Sequence, residues 1–239
     1  MKNYMDKIAV CGNENRRNAI TGILDSLKVD YKIVGKTTKN IVVSFNESSN
    51  EQIIVIGAHY DAATPYCQGA NDNGAACVIL LNLIENLRES KMPYEFVFFD
   101  KEDERLFGSS YEYIDIVGRN NIKAMINLDM CGMGNNIITH LNRCGTDVLE
   151  EYPFKDIIKD STNVILEDLE GDNWRFSLTG IPNIMIISST IKCYVKFAKV
   201  ALGYEGQAAD FLKTMHKETD TINIEDVEKI YNYLIERLK

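Results

Sequence analysis

The amino-acid sequence predicts an α/β fold, a three-layer sandwich whose mixed, mostly parallel central sheet is flanked by helices on both faces. Three observations carry this expectation. Four short, nearly continuous apolar runs, at residues 53–56, 94–99, 124–128 and 183–187, have the make-up of strands buried on both sides. Amphipathic helical stretches lie between and after them, and strand–helix alternation is the signature of a parallel sheet. No repeat, low-complexity tract or Pro/Ser-rich linker interrupts the chain, so residues 1–239 read as a single domain.

Taken in order, residues 14–27 place Ile20, Ile23, Leu24 and Leu27 on one face of a helix. Residues 31–45 alternate in polarity and carry Gly35 and Asn40 as turn residues, which predicts a hairpin. Further helices are expected at 74–89, 109–117, 148–159 and 225–238. The last has Val227, Ile230, Tyr231, Leu234 and Ile235 on one stripe. In sheets of this kind ligands bind just beyond the carboxyl ends of the strands.

Composition narrows the partners. The formal charge is -9 and no dense Lys/Arg run occurs, which argues against a nucleic-acid or anionic-membrane surface. No stretch approaches the apolar length of a membrane span. The six cysteines are scattered without CxxC spacing, so free thiols in a reducing compartment are expected. Asp6 and Lys7 break up any apolar export segment near the start, and a cytoplasmic location is the reading.

The predicted strand ends are rich in ligand-type side chains. The first strand runs into His59-Tyr60-Asp61, the second into Asp100-Lys101-Glu102-Asp103-Glu104, and the third into Asp129. Between the first strand and its helix lies Gly69-Ala70-Asn71-Asp72-Asn73-Gly74. One polar residue after a strand is usually a turn former. Ionised carboxylates gathered at neighbouring strand ends repel and lose solvation, which is tolerable around a cation. Zinc takes imidazole nitrogen and carboxylate oxygen at about 2.0–2.2 Å. Two metals about 3.5–4 Å apart share a carboxylate and a water. Such a centre needs a bridging Asp, one His and one further carboxylate for each metal, and a free Glu to move protons.

These residues resemble the M28 zinc peptidases in order and spacing. The motifs are His59-x-Asp61; Gly69-Ala70-x-Asp72-Asn73-x-x-Ala76; Glu102-Asp103-x-x-Leu106-Phe107-Gly108-Ser109; and Asn127-Leu128-Asp129-Met130. They continue with Asp172-x-x-x-Phe176-x-x-x-Gly180-Ile181-Pro182 and end at His216-x-x-x-Asp220-Thr221. The resemblance implies a zinc-peptidase-like fold and an aminopeptidase that acts on small peptides with a free N-terminus, using two divalent metal ions, zinc by preference. It implies that Asp72 bridges the metals, that His59 and Asp129 complete one site, and that Asp103 and His216 complete the other. Glu102 becomes the general base and then the general acid. Asp61 and Asp220 become partners that orient His59 and His216. A cis peptide between Asp72 and Asn73 is also implied.

The chain departs from the family pattern where Glu-Glu is replaced by Glu102-Asp103, where Arg105 stands for a common Gly, and where Asn173 follows Asp172 in place of His. Asp172 reads equally as a helix cap or as a group on the substrate side, and Trp174 and Phe176 as core or pocket wall. His140 lies outside every motif and reads as structural. Three other functions stay open: a glutaminyl cyclase-like enzyme with one zinc, a non-catalytic metal-stabilised binding protein, and an amidase or deacylase acting on a non-peptide amide. The loops at 62–68, 130–134 and 191–211 are expected to shape the substrate pocket.

Overall fold

The structure is a computed structural model that describes residues 1–45, 51–103, 109–141, 146–165, 171–201 and 214–239. The alternating segment forms the expected hairpin of β1 (Lys32–Val34) and β2 (Asn40–Ser44). The apolar runs become β3 (Ile53–His59), β4 (Tyr94–Phe99), β5 (Ile122–Leu128) and, near the C-terminal end, β8 (Asn183–Ser189). Two strands escape the sequence reading, β6 (Asn136–Leu141) and β7 (Thr162–Ile165). β6 carries Asn136, Thr139 and His140, and β7 is largely exposed, so neither shows an apolar run.

The strands form one eight-stranded sheet in the order β1-β2-β4-β3-β5-β8-β6-β7. Its centre, β4-β3-β5-β8, is parallel, as buried runs predict. β2 joins β4 antiparallel, and β6 joins β8 antiparallel while pairing parallel with β7. Along β3 the side chains alternate: Ile54, Ile56 and Ala58 face one layer, while Val55, Gly57 and His59 face the other. Gly57 has no room for a side chain, because a Cβ there would lie 2.4 Å from the Phe99 ring and 3.2 Å from the Met125 methyl.

One layer holds α1 (Lys2–Ile8), α2 (Asn13–Ser26), α3 (Ala75–Asn86), α6 (Phe154–Lys159) and α9 (Ile224–Leu238), packed on Ile54, Ile56, Phe96, Phe98 and Ile126. α3 is apolar nearly all round because α1 and α9 cover the side that the sheet does not. α9 carries the predicted stripe and is capped by Asn223, whose side chain accepts from Glu225 N at 3.0 Å. The opposite layer holds α4 (Ser110–Val117) and α7 (Asp172–Leu178), whose Tyr113, Ile114 and Phe176 pack on Val55, Val97, Phe99 and Met125. Phe176 is therefore core, edge-on to Phe99 at a centroid distance of 6.3 Å.

Three expectations need correction. The helix expected at 148–159 is two pieces, α5 (Thr146–Leu149) and α6, because Pro153 has no N–H to donate and starts a new helix instead of continuing one. Residues 191–201, expected as loop, form α8 (Ile191–Ala201). α7 begins at Asp172 after Gly171, and Asp172 makes no capping hydrogen bond. The Glu104 to Gly108 part of the third motif, Cys144, and residues 202–213 lie outside the described residues. The five described cysteines (Cys11, Cys67, Cys77, Cys131 and Cys193) are free. Among the described residues no helix is long and apolar enough to cross a membrane.

Candidate metal centre

The parallel strands β3, β4 and β5 end side by side, and each delivers a ligand-type side chain to the same place. His59 is the last residue of β3, Glu102 and Asp103 follow β4, and Asp129 follows β5. The turn 70–74 brings Asp72 over these ends, and the turn before α9 brings His216. His59 Nε2 lies 3.2 Å from Asp72 Oδ1, 3.6 Å from Asp129 Oδ1 and 4.0 Å from Glu102 Oε2. Asp72 turns its other oxygen, Oδ2, to His216 Nε2 at 3.1 Å, and the same nitrogen lies 3.1 Å from Asp103 Oδ1. Asp72 thus faces two clusters, His59/Asp72/Asp129 and Asp72/Asp103/His216, and within each the donor atoms lie within 4.8 Å of one another.

Hydrogen bonds fix the backbone that carries these groups. Asn73 donates to Leu128 O at 2.9 Å and accepts from Met130 N at 3.2 Å, and Asn71 accepts from Gly132 N at 2.8 Å. Both amides therefore lock the Asp72 turn to the Asp129 segment. The Asp72–Asn73 peptide is cis, as the resemblance implies. Asp220 Oδ2 accepts from Asn71 N at 2.9 Å and Asp72 N at 3.1 Å. That corrects its expected role: among the described residues Asp220 holds the turn that carries Asp72 and makes no ion pair with His216. Asp61 is fully buried and spans two backbone donors, Glu102 N at 3.0 Å and Asp103 N at 2.9 Å. Its carboxylate also stands 3.4 Å from His59 Nδ1, without hydrogen-bond geometry. Asp61, His59 and Asp103 form a third compact group. Because both Asp61 oxygens already receive N–H donors, Asp61 positions the Glu102–Asp103 segment.

Positive φ at a residue other than glycine marks backbone held against its preference. Lys101 (62°), Met130 (45°) and His216 (62°) have it, next to Glu102, next to Asp129, and at a ligand-type residue itself.

The electrostatics call for cations. Burial raises the Glu102 carboxyl well above the ordinary range, helped by the charges of Asp172, Asp129 and Asp103. Burial raises Asp129 and Asp103 as well. Hydrogen bonds that the His216 imidazole donates to Asp103 and Asp72 push its pKa up to about 10. For His59 burial opposes charging, yet Glu102, Asp129, Asp61 and Asp72 together hold its pKa well above the usual value. Asp103 Oδ2, Asp129 Oδ1, Asp220 Oδ1 and both oxygens of Asp172 are buried without a hydrogen-bond partner. Carboxylate oxygens are stable in that state beside a cation, and imidazole with carboxylate is a donor set that suits zinc. These residues therefore fit a pair of divalent metals.

Asp172 is the group that sequence reasoning left undecided. Its buried carboxyl is raised well above the usual range by burial and by Asp61, Asp129 and Asp103, which puts it within the field of the centre. Asn173, the departure from the family's His, joins an amide chain, accepting from Asn127 Nδ2 at 3.4 Å and donating to Asn183 Oδ1 at 3.0 Å.

The pattern of peptidase family M28 matches residues 40–233. The chain belongs to peptidase family M28. Aminopeptidase YwaD of Bacillus subtilis is 34% identical over 111 residues, a match that takes in 44% of this chain and 22% of that protein. Among solved structures, a zinc aminopeptidase from Bacillus subtilis superposes with a TM-score of 0.61 at 22% identity, over 84% of this M28 chain and 50% of that one. The glutaminyl cyclase of Tannerella forsythia superposes with a TM-score of 0.67 at 17% identity, over 99% of this chain and 96% of that one.

Proposed function

We propose that this M28 chain is a metallo-aminopeptidase that removes N-terminal residues from small peptides with two divalent ions, zinc by preference. The observation that carries the reading is the division of labour at Asp72. One oxygen faces His59 and the other faces His216, each within its own cluster, while Glu102 stands beside the first cluster without belonging to either. His59, Asp72 and Asp129 would hold one ion, and Asp72, Asp103 and His216 the other. When bound, such a pair lowers the pKa of water and polarises the scissile carbonyl. Glu102 takes the proton of the attacking water and returns it to the leaving amine, a task suited to a carboxyl that stands 4.0 Å from His59 Nε2 outside both clusters. Asp61 keeps Glu102 in place through its backbone N–H. The carboxylate-rich rim attracts the free α-amine of the substrate. The proposal includes a single domain over residues 1–239 and a cytoplasmic location, which free thiols favour.

A second reading is a glutaminyl cyclase, favoured by the near-complete mutual coverage with the Tannerella enzyme. Metal analysis with a panel of aminoacyl-p-nitroanilides and an N-terminal Gln peptide separates the readings. Two zinc ions per chain and release of p-nitroaniline, lost on chelation and restored by zinc, are expected. One tightly held zinc with formation of pyroglutamate would shift the assignment to the cyclase. Inertness in saturating zinc or cobalt would leave a metal-stabilised binding protein.

A further inference from the structure

We infer that Arg16, on α2, is a positioning residue for the metal centre, reaching across from outside the segment that the family pattern matches. The inference rests on the proposed metal pair. Arg16 is 1% exposed, and its guanidinium donates to three main-chain carbonyls of the loop that joins His59 to Asp72. Nη1 reaches Tyr60 O at 3.0 Å and Asp61 O at 3.3 Å, and Nη2 reaches Gln68 O. These carbonyls lie at the two ends of the loop, so a single planar fork fixes their separation. A guanidinium can do this because its donors are rigidly arranged, whereas an ammonium is a point charge. Space for the fork is left at Gly69, where a Cβ would lie 2.8 Å from Nη2 and 3.1 Å from Nη1.

The surroundings favour a role at the centre over a simple packing role. A buried cation is costly unless its charge and donors are satisfied. Arginine ion pairs among the described residues belong to Arg17 and Arg237, and Arg16 makes none. Its charge instead sits behind the turn that carries Asp72 and that Asp220 caps, and among the described residues it is the only guanidinium bonded to both ends of the loop. The same N-terminal stretch adds two more ties to this loop. Asn13 Oδ1 accepts from Ala62 N at 3.1 Å, and Cys11 Sγ donates to Tyr66 O at 3.2 Å. The start of α2 thus acts as a brace for the segment between the first histidine and the bridging aspartate.

The test compares wild type with Arg16→Lys, which keeps the charge but cannot span both ends, and with Asn13→Ala, a milder cut of the same brace. Zinc affinity is read by competition with a chelator, loop order by hydrogen exchange of metal-free protein over residues 60–74, and catalysis as separate kcat and KM. Loss of an outer partner of a metal ligand typically weakens zinc binding by about 10–100-fold. That range is expected for Arg16→Lys, with faster exchange in 60–74, lower kcat and unchanged KM, and a smaller change of the same kind for Asn13→Ala. A lower melting temperature with wild-type zinc affinity and wild-type exchange in 60–74 would mean that Arg16 only packs the fold, and would overturn the inference. Wild type that binds no zinc would overturn the metal centre itself, and that control is read before either variant.

Discussion

Asp61 offers a test that distinguishes two ways of supporting a metal ligand. The resemblance assigns it to the His59 imidazole, whereas the structure has it receiving the backbone N–H groups of Glu102 and Asp103 at 3.0 and 2.9 Å. In Asp61→Asn one oxygen remains to accept, and the new NH₂ group confronts the second N–H, donor against donor. A hydrogen bond to a charged group contributes about 1.5–3 kcal/mol, so one lost bond should lower stability by that amount. For a chain of this size each kcal/mol shifts the melting temperature by about 2–4 °C, giving an expected drop of roughly 3–12 °C. The same variant should lose activity, because the Glu102 backbone is no longer fixed. Thermal unfolding of metal-free protein and steady-state kinetics of the zinc-loaded enzyme measure the two effects separately. If Asp61→Asn melts with wild type yet loses activity, the carboxylate acts through His59, and the backbone argument is wrong.

Three further outcomes are expected. Glu102→Gln should reduce kcat by about 10²–10⁴-fold with zinc content unchanged; near-full activity would remove Glu102 from the proton-transfer role. Burial holds the buried imidazole of His140, which faces the Tyr194 hydroxyl at 2.6 Å, down to about 4. Above pH 6.5 both states carry it neutral, but between 6.5 and 4 the unfolded chain takes a proton that the fold refuses. Stability should fall with pH across that window by about 3 kcal/mol, a component absent from the urea unfolding of His140→Gln; parallel pH profiles for the two proteins would contradict it. Gly57→Ala should cost about 1–3 kcal/mol by driving a methyl into the Phe99 ring, and Phe99→Leu in the same chain should recover part of it. An unchanged urea midpoint for Gly57→Ala would refute that packing.

The central sheet was legible because β3, β4, β5 and β8 are covered on both faces and so must be apolar throughout. β6 and β7 lie toward one edge, where side chains such as Asn136 and Thr162 meet water, and no run of apolar residues announces them. The break at Pro153 is hidden by the apolar spacing that continues on either side of it. At the centre, residue types and order pointed to the six side chains that the structure gathers, because strand ends in a parallel sheet converge. The supporting contacts were harder to foresee. Nothing in the spacing of Asp220 says that its carboxylate caps the Asn71–Asp72 backbone, and nothing in an amphipathic helix says that Arg16 will turn inward. Such bonds to main chain depend on loop paths that a one-dimensional pattern does not encode.

The long chain separation of the side chains gathered at the centre has a consequence for synthesis. His59, Asp72, Asp103 and Asp129 leave a ribosome well before His216, and the Asp72 oxygen that faces His216 lacks that partner until the turn before α9 has emerged and docked. Contacts between such distant segments form late, since the intervening chain must first be ordered. A growing polypeptide can therefore assemble the His59/Asp72/Asp129 cluster before the Asp72/Asp103/His216 cluster. In the proposed reading, peptide cleavage then waits for His216 to emerge and dock.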